Sequence, residues 1–141
     1  MDIIPQRPPF LWIDALVSCE GLVSETEFTV PSRGILCHDG FLTEAGLIEH
    51  AAQSCAARIG YLSADGPIRI GVLGTVQHFV VHRLPAAGQL LQTRVEVLEE
   101  VFDITLVNIF ISCAGEIIAQ GRMKIALTPQ EAQMEAKNVQ K

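Results

Sequence analysis

Basic residues are scarce in this sequence of 141 residues. Ten lysines and arginines stand against sixteen aspartates and glutamates, which gives a formal net charge of −6. A nucleic-acid-binding face needs clustered basic side chains to replace the phosphate counterions, and no dense stretch of lysine and arginine occurs here. We therefore expect no nucleic-acid partner.

Long apolar runs and targeting signals are also missing. No segment contains the run of about 18 apolar residues that spans a bilayer. The first ten residues, MDIIPQRPPF, form neither a basic region nor a long apolar one, so they lack the pattern of a signal peptide. We expect a cytoplasmic protein without a membrane-spanning segment.

Signatures of metals and cofactors are absent as well. The four cysteines, at positions 19, 37, 55 and 113, form no CxxC pair, and no histidine stands at zinc-finger spacing. His78 and His82 would share one face of a strand, but no third ligand is evident. The sequence contains no GxSxG, no P-loop and no dinucleotide-binding glycine pattern. We predict neither a metal nor a cofactor, and no disulfide.

The sequence is rich in apolar residues, which make up 49% of it, while only 18% are charged. A chain of this length is typical of one compact domain, which we place at residues 1–128, followed by a polar tail at 129–141. The excess of apolar side chains indicates an oligomer interface or a channel for a lipid-like ligand.

The order of predicted elements indicates an α+β fold. Residues 10–17 and 25–30 read as a β-hairpin, residues 35–41 as a loop and residues 43–61 as a helix. Four β-rich stretches follow, at 68–84, 90–100, 104–113 and 116–127, with short turns that favour antiparallel neighbours. Because a flat sheet cannot bury a helix all round, we expect the sheet to wrap around this central helix and a second copy to cover the rest.

The predicted helix has recognisable ends and a mostly apolar surface. Thr43 is a suitable N-cap, Glu44 lies in the first turn, and Gly60 could end the helix in a left-handed conformation. Small and apolar residues cover most of the circumference, which is typical of a buried helix. Polar residues inside such a helix are therefore the informative ones.

Glu49 and His38 are the candidates for acid–base chemistry. A carboxylate inside an apolar helix must be paired, protonated or facing a cavity, so Glu49 is a candidate general acid; the alternative is a partly exposed residue at a dimer rim. His38 precedes it by eleven residues, in the loop before the helix. It could move protons near neutral pH, or be an ordinary solvated histidine. We interpret His50 as structural, and Gln53, one turn after Glu49, as able to orient the carboxylate.

Three stretches resemble one known family. IPQRPPFLWID is similar to an N-terminal pattern Leu-Pro-His-Arg-x-Pro-Phe-Leu-x-x-Asp, and GLIEHAAQSCAA to a central-helix stretch in which a catalytic Glu precedes a Gln by four positions. GVLGTVQHFVVHRLPAAGQLL is similar to a strand that ends in Arg-x-Val-x-Pro-Gly-Asp-x-Leu. Together they resemble the hotdog-fold 3-hydroxyacyl-(acyl carrier protein) dehydratases. Gln6, Thr43-Glu44 and Gly88-Gln89 depart from the family pattern and look more like the divergent dehydratases of aryl-polyene and related pigment pathways.

This resemblance implies a reaction and a set of site residues. A 3-hydroxyacyl thioester of acyl carrier protein or coenzyme A would lose water to give a trans-2-enoyl thioester, without metal or cofactor. His38 would take the C2 proton and Glu49 would protonate the departing hydroxyl, with Gln53 beside it. Main-chain amides at the helix start would polarise the thioester carbonyl; these belong to Glu44, Ala45 and Gly46.

The resemblance also implies a site between subunits, and therefore a homodimer or a heterodimer with a related hotdog subunit. Two other functions stay open. The protein could be an acyl thioesterase in which Glu49 activates water, or a non-catalytic hotdog partner that shapes the acyl site of an active dehydratase subunit.

Overall fold

A computed structural model of the protein describes residues 3–63 and 71–127, with side chains from residue 74 in the second range. The described residues form one long helix and eight strands. In chain order they are β1 (Ala15–Glu20), β2 (Val23–Thr29), β3 (Cys37–His38), β4 (Phe41–Leu42), α1 (Glu44–Leu62), β5 (Gly71–Val81), β6 (Leu90–Val101), β7 (Ile104–Cys113) and β8 (Glu116–Leu127).

Six strands form one antiparallel sheet in the order β1-β2-β6-β7-β8-β5. Its hairpins are tight: β7 and β8 are joined by Ala114 and Gly115, whose φ values of 52° and 79° are both positive. A positive φ at both central residues is what a type I′ turn requires, and this turn follows the natural twist of the two strands. The predicted antiparallel succession of these strands is confirmed.

The inner face of the sheet packs against α1. Alternate residues of β6 and β7 are buried, as expected for strands with one face on a core. The core consists mainly of apolar side chains from both layers, among them Leu47, Ala51, Leu91, Val95, Ile109 and Ile111. Burying each of the larger side chains contributes about 2 kcal/mol, so this contact between the helix and the sheet is the main source of stability.

The helix begins as predicted and ends differently. The Thr43 hydroxyl accepts a hydrogen bond from the Gly46 N–H at 3.2 Å, which makes Thr43 the N-cap. The prediction that Gly60 ends the helix is wrong, because α1 continues to Leu62. Gly60 instead lies directly against the Ile3 carbonyl, where a side chain would collide with the main chain. Close approach, not a left-handed turn, therefore requires glycine at this position.

Two further segments differ from the expectation. The predicted first strand, 10–17, starts only at Ala15, since residues 10–12 cross the helix and bind to it. The predicted loop 35–41 contains the small hairpin β3–β4, which turns at Asp39 and Gly40 with φ values of 51° and 80°. Asp-Gly is a strong hairpin signal, and its physical reason is the left-handed backbone that both residues tolerate.

The strand after the helix is irregular. We expected a stretch over 68–84; β5 covers Gly71–Val81, and residues 68–70 and the tail 129–141 lie outside the described residues. A register shift between Gln77 and Val80, with His78 at a φ of 52°, breaks the alternation of side chains. No helix among the described residues is long and apolar enough to cross a membrane.

Candidate active site

Glu49 and Gln53 form the polar centre of the helix. They lie one turn apart on one face of α1, and the Gln53 side-chain amide donates a hydrogen bond to Glu49 Oε1 at 2.8 Å. Gln53 is buried, whereas Glu49 is only partly buried. The carboxylate thus has one oxygen held by a fixed neighbour and lies where another molecule could reach it.

The buried Gln53 amide also binds the main chain of residues 10–12, which we call the lead-in segment. Gln53 Oε1 accepts a hydrogen bond from the Trp12 N–H at 2.6 Å, and Gln53 Nε2 donates one to the Phe10 carbonyl at 2.8 Å. Both hydrogens of the amide nitrogen and its oxygen are therefore in use. This accounts for the path of residues 10–12 across the helix, because their peptide groups replace the hydrogen bonds that a strand would have provided.

His50 holds the same segment from the next position of the helix. It is fully buried, with Nδ1 at 2.7 Å from the Trp12 carbonyl and Nε2 at 2.7 Å from the Thr93 hydroxyl. Its ring stacks on Phe28 at a centroid distance of 5.4 Å. Burial lowers the pKa of His50 from 6.5 to about 4. A neutral ring packed in this way is structural, as the sequence indicates.

His38 lies apart from this cluster, on the exposed hairpin β3–β4. Its side chain is 80% exposed, and Nε2 is 3.2 Å from the carboxylate of Asp39, which is equally exposed. Within the described part of the chain, no hydrogen bond or ion pair joins His38 to Glu49. The structure therefore does not bring the two predicted catalytic side chains together within one subunit.

The beginning of α1 is partly occupied by its own cap. Thr43 Oγ1 donates to the Leu36 carbonyl at 2.8 Å and accepts from the Gly46 N–H, so the Gly46 amide is used within the protein. Glu44 and Ala45 are exposed in the first turn. Of the three predicted carbonyl-binding positions, these two therefore remain accessible at the positive end of the helix dipole.

Two cavities among the described residues lie away from Glu49. The larger, about 530 Å³, lies over strands of the sheet, and its lining includes the polar side chains of Glu25, Gln92 and Arg94. The smaller, about 10 Å³, lies beside Cys55 and is lined mostly by apolar residues. Neither of the two is lined by Glu49, and within the described residues no three metal-ligating side chains cluster.

Sequence reasoning found Glu49, Gln53 and His50 but missed their partners. These are the Thr93 hydroxyl and the peptide groups of Phe10 and Trp12. Buried polar side chains in an apolar helix signal that partners must exist, since unpaired polar groups are rare in protein interiors. The partners lie about forty residues away in the chain, and no local pattern identifies them.

Comparison with known proteins identifies both family and fold. The model of the ApeP dehydratase family, ApeP-like, matches residues 1–137. No curated protein matches the chain. Among solved structures, the dehydratase heterocomplex ApeI:P from Xenorhabdus doucetiae superposes with a TM-score of 0.84 at 18% identity, covering 96% of this chain and 95% of that one.

Two further structures are similar. The E. coli PaaI protein from the phenylacetic acid degradation operon gives a TM-score of 0.65 at 16% identity, with coverage of 79% and 80%. A hypothetical thioesterase with coenzyme A from Streptococcus pneumoniae TIGR4 gives 0.66 at 13% identity, with coverage of 82% and 86%. These likenesses confirm the predicted hotdog fold.

Proposed function

Because the chain belongs to the ApeP dehydratase family, we propose that it takes part in the dehydration of a 3-hydroxyacyl thioester to a trans-2-enoyl thioester. The observation that carries this proposal is the pair of Glu49 and Gln53 on the central helix. A carboxylic acid with one oxygen held by an amide and the other free can donate a proton to a leaving hydroxyl.

In the proposed reaction, a neutral histidine removes a proton from C2 of the acyl group. Electrons from the broken C–H bond form the C2–C3 double bond, and the C3–O bond breaks. Glu49 in its protonated form supplies the proton with which the hydroxyl leaves as water. The main-chain amides of Glu44 and Ala45 stabilise negative charge on the thioester carbonyl, because they lie at the helix N-terminus.

His38 is the proposed base, acting toward Glu49 of another subunit. Its 80% exposure and its position on the β3–β4 hairpin leave it available to a neighbour, and no contact inside the described chain ties it to its own Glu49. If the site is shared between subunits, the pocket for the acyl chain would form only when the subunits assemble.

The free edge of the sheet supports such an assembly. Among the described residues, β5 has a strand partner only on its β8 side, and Val76 and Val80 are exposed along it. An unpaired edge with apolar side chains is a template for another strand. We propose a related hotdog subunit or a second copy as partner; the similar Xenorhabdus structure is itself described as a dehydratase heterocomplex.

The substrate carrier and the compartment complete the proposal. We propose an acyl carrier protein or coenzyme A as the thioester carrier. All four cysteines are free thiols. Free thiols are typical of a reducing compartment, which supports the cytoplasm as the place of action.

Two substitutions test the proposal. In the assembly with its partner, Glu49→Gln should lower kcat for enoyl formation by roughly 100-fold or more, because the proton donor is lost. His38→Ala should act similarly. Glu99→Gln, which changes an exposed acid on β6, is the matched control and should leave the rate unchanged. Near wild-type rates for both Glu49→Gln and His38→Ala would contradict the proposal.

Two other functions have specific support and give different results. Thioesterase activity is supported by the hotdog neighbour with coenzyme A, and a Glu49-activated water would release free thiol in place of an enoyl product. A non-catalytic partner role is supported by the heterocomplex. In that case turnover requires the mixed complex and survives Glu49→Gln in this chain.

A further inference from the structure

The contacts between α1 and residues 10–12 form a connected set of hydrogen bonds. His50 binds the Trp12 carbonyl, and Gln53 binds both the Trp12 N–H and the Phe10 carbonyl. We call His50, Gln53 and these three peptide groups the clamp. His50, Gln53 and Trp12 are buried, and the only described contact of the clamp with the proposed site is the bond from Gln53 to Glu49.

The clamp permits one orientation of the Gln53 amide. The Trp12 N–H can only donate, so it requires the amide oxygen, and the Phe10 carbonyl can only accept, so it requires the amide nitrogen. Rotating the amide by half a turn would oppose donor to donor and acceptor to acceptor at both ends. The main chain therefore fixes which side of the amide carries the oxygen.

This orientation determines which oxygen of Glu49 can react. The remaining N–H of Gln53 points to Glu49 Oε1 at 2.8 Å, so that oxygen is an acceptor in either protonation state. We propose that the clamp is a positioning device that leaves Oε2 of Glu49 to carry and deliver the proton. This inference rests on the proposed function, which it deepens by assigning the reacting atom and its support.

His50 is a positioning residue in this scheme. The Trp12 carbonyl can only accept, so His50 carries its proton on Nδ1, and Nε2 accepts from the Thr93 hydroxyl. His50 and Gln53 therefore hold the two ends of the same residue, Trp12. Loss of the His50 contact should release Trp12 and, with it, the orientation of the Gln53 amide.

Two substitutions of His50 separate positioning from packing. An asparagine amide occupies the place of Nδ1 and can still donate to the Trp12 carbonyl, whereas a glutamine amide reaches the place of Nε2 and keeps only the Thr93 contact. We expect His50→Asn to retain kcat within a few-fold, and His50→Gln to lower kcat by roughly tenfold or more at little changed KM, because small misplacements of a reacting group are costly.

Thr26→Val is the matched control. It removes a different buried hydrogen bond between the sheet and the helix, the one between Thr26 Oγ1 and Ser54 Oγ at 2.7 Å. The Ser54 hydroxyl also donates to the His50 main-chain carbonyl, but Thr26→Val leaves every hydrogen bond of the His50 and Gln53 side chains in place. It should lower the thermal stability as the His50 variants do while leaving kcat unchanged. If Thr26→Val lowers kcat as much as His50→Gln, or if the two His50 variants behave alike, the positioning role is overturned.

A second measurement does not depend on turnover. In ¹⁵N-labelled protein, the side-chain amide hydrogens of Gln53 should exchange slowly in the wild type and in His50→Asn, and faster in His50→Gln. If no thioester is dehydrated under any condition while this pattern holds, the proposed function fails and the clamp stands. Rapid exchange in the wild type, or equal exchange in both variants, overturns the clamp. Gln53→Met, which removes the amide, gives a further variant should a His50 variant not fold.

Discussion

Acid should destabilise the protein through His50, and the size of the effect follows from its burial. The pKa of His50 falls from 6.5 to about 4 in the folded protein because the buried ring cannot be charged without losing its hydration. Between pH 6.5 and pH 4, position 50 binds a proton in the unfolded chain but not in the native protein. The contribution of His50 to the free energy of unfolding is therefore largest above pH 6.5 and decreases as the pH falls toward 4.

The size of the decrease follows from the two pKa values. The change from 6.5 to about 4 corresponds to roughly 3 kcal/mol in total, of which about 2 kcal/mol is lost by pH 5. This is a large part of the stability of an ordinary domain. The assay is urea unfolding followed by the fluorescence of Trp12, the single tryptophan, at fixed protein concentration between pH 5 and 8.

The comparison with His50→Asn isolates the contribution of this residue. All other side chains are the same in the two proteins, so the difference between the two pH profiles belongs to position 50. The variant should be less stable at pH 7.5 and lose less stability on acidification. Parallel profiles for the two proteins would refute the reasoning, because they would mean that His50 binds its proton equally well before and after unfolding.

Three other predictions concern stability and reactivity. Burial raises the pKa of Cys55 to about 12, an effect that the charge of Arg58 partly offsets. This thiol should therefore react with an aromatic disulfide reagent only on unfolding. The half-buried Cys19 should react in the native protein. Gly60→Ala should lower the melting temperature despite the better helix propensity of alanine, because its methyl group collides with the Ile3 carbonyl; an increase would contradict this packing. Thr43→Ala should cost about 1 kcal/mol in urea unfolding through the lost N-cap, and an unchanged midpoint would show that the cap contributes nothing.

Much of the fold follows from local pattern. The strands at 90–101, 104–113 and 116–127 alternate or carry β-prone residues between short turns, and the helix has a cap at Thr43, so sequence and structure agree on them. The prediction from local pattern is wrong for the lead-in segment. Residues 10–13 have the apolar, β-prone composition of a strand, but their peptide groups bind His50 and Gln53 on a helix about forty residues later.

The candidate site, like the fold, could be predicted from the sequence only where its features are local. An acidic residue within an apolar helix identifies Glu49, and the spacing of one turn identifies Gln53 as its neighbour, because both facts are local. The relation of His38 to Glu49 is not local. His38 is exposed on a hairpin where the sequence predicts a loop, and its proposed contact is with another subunit.

The support beneath Glu49 uses peptide groups and not the side chains of residues 10–12. The hydrogen bonds of the clamp therefore do not depend on which side chains stand at positions 10 and 12, because only main-chain groups take part in them. Changes to the backbone itself would break them: a proline at position 12 removes the required N–H, and a chain shortened to begin at Ala15 removes the segment altogether. Truncation at the front of this protein should thus impair an acid located more than thirty residues downstream.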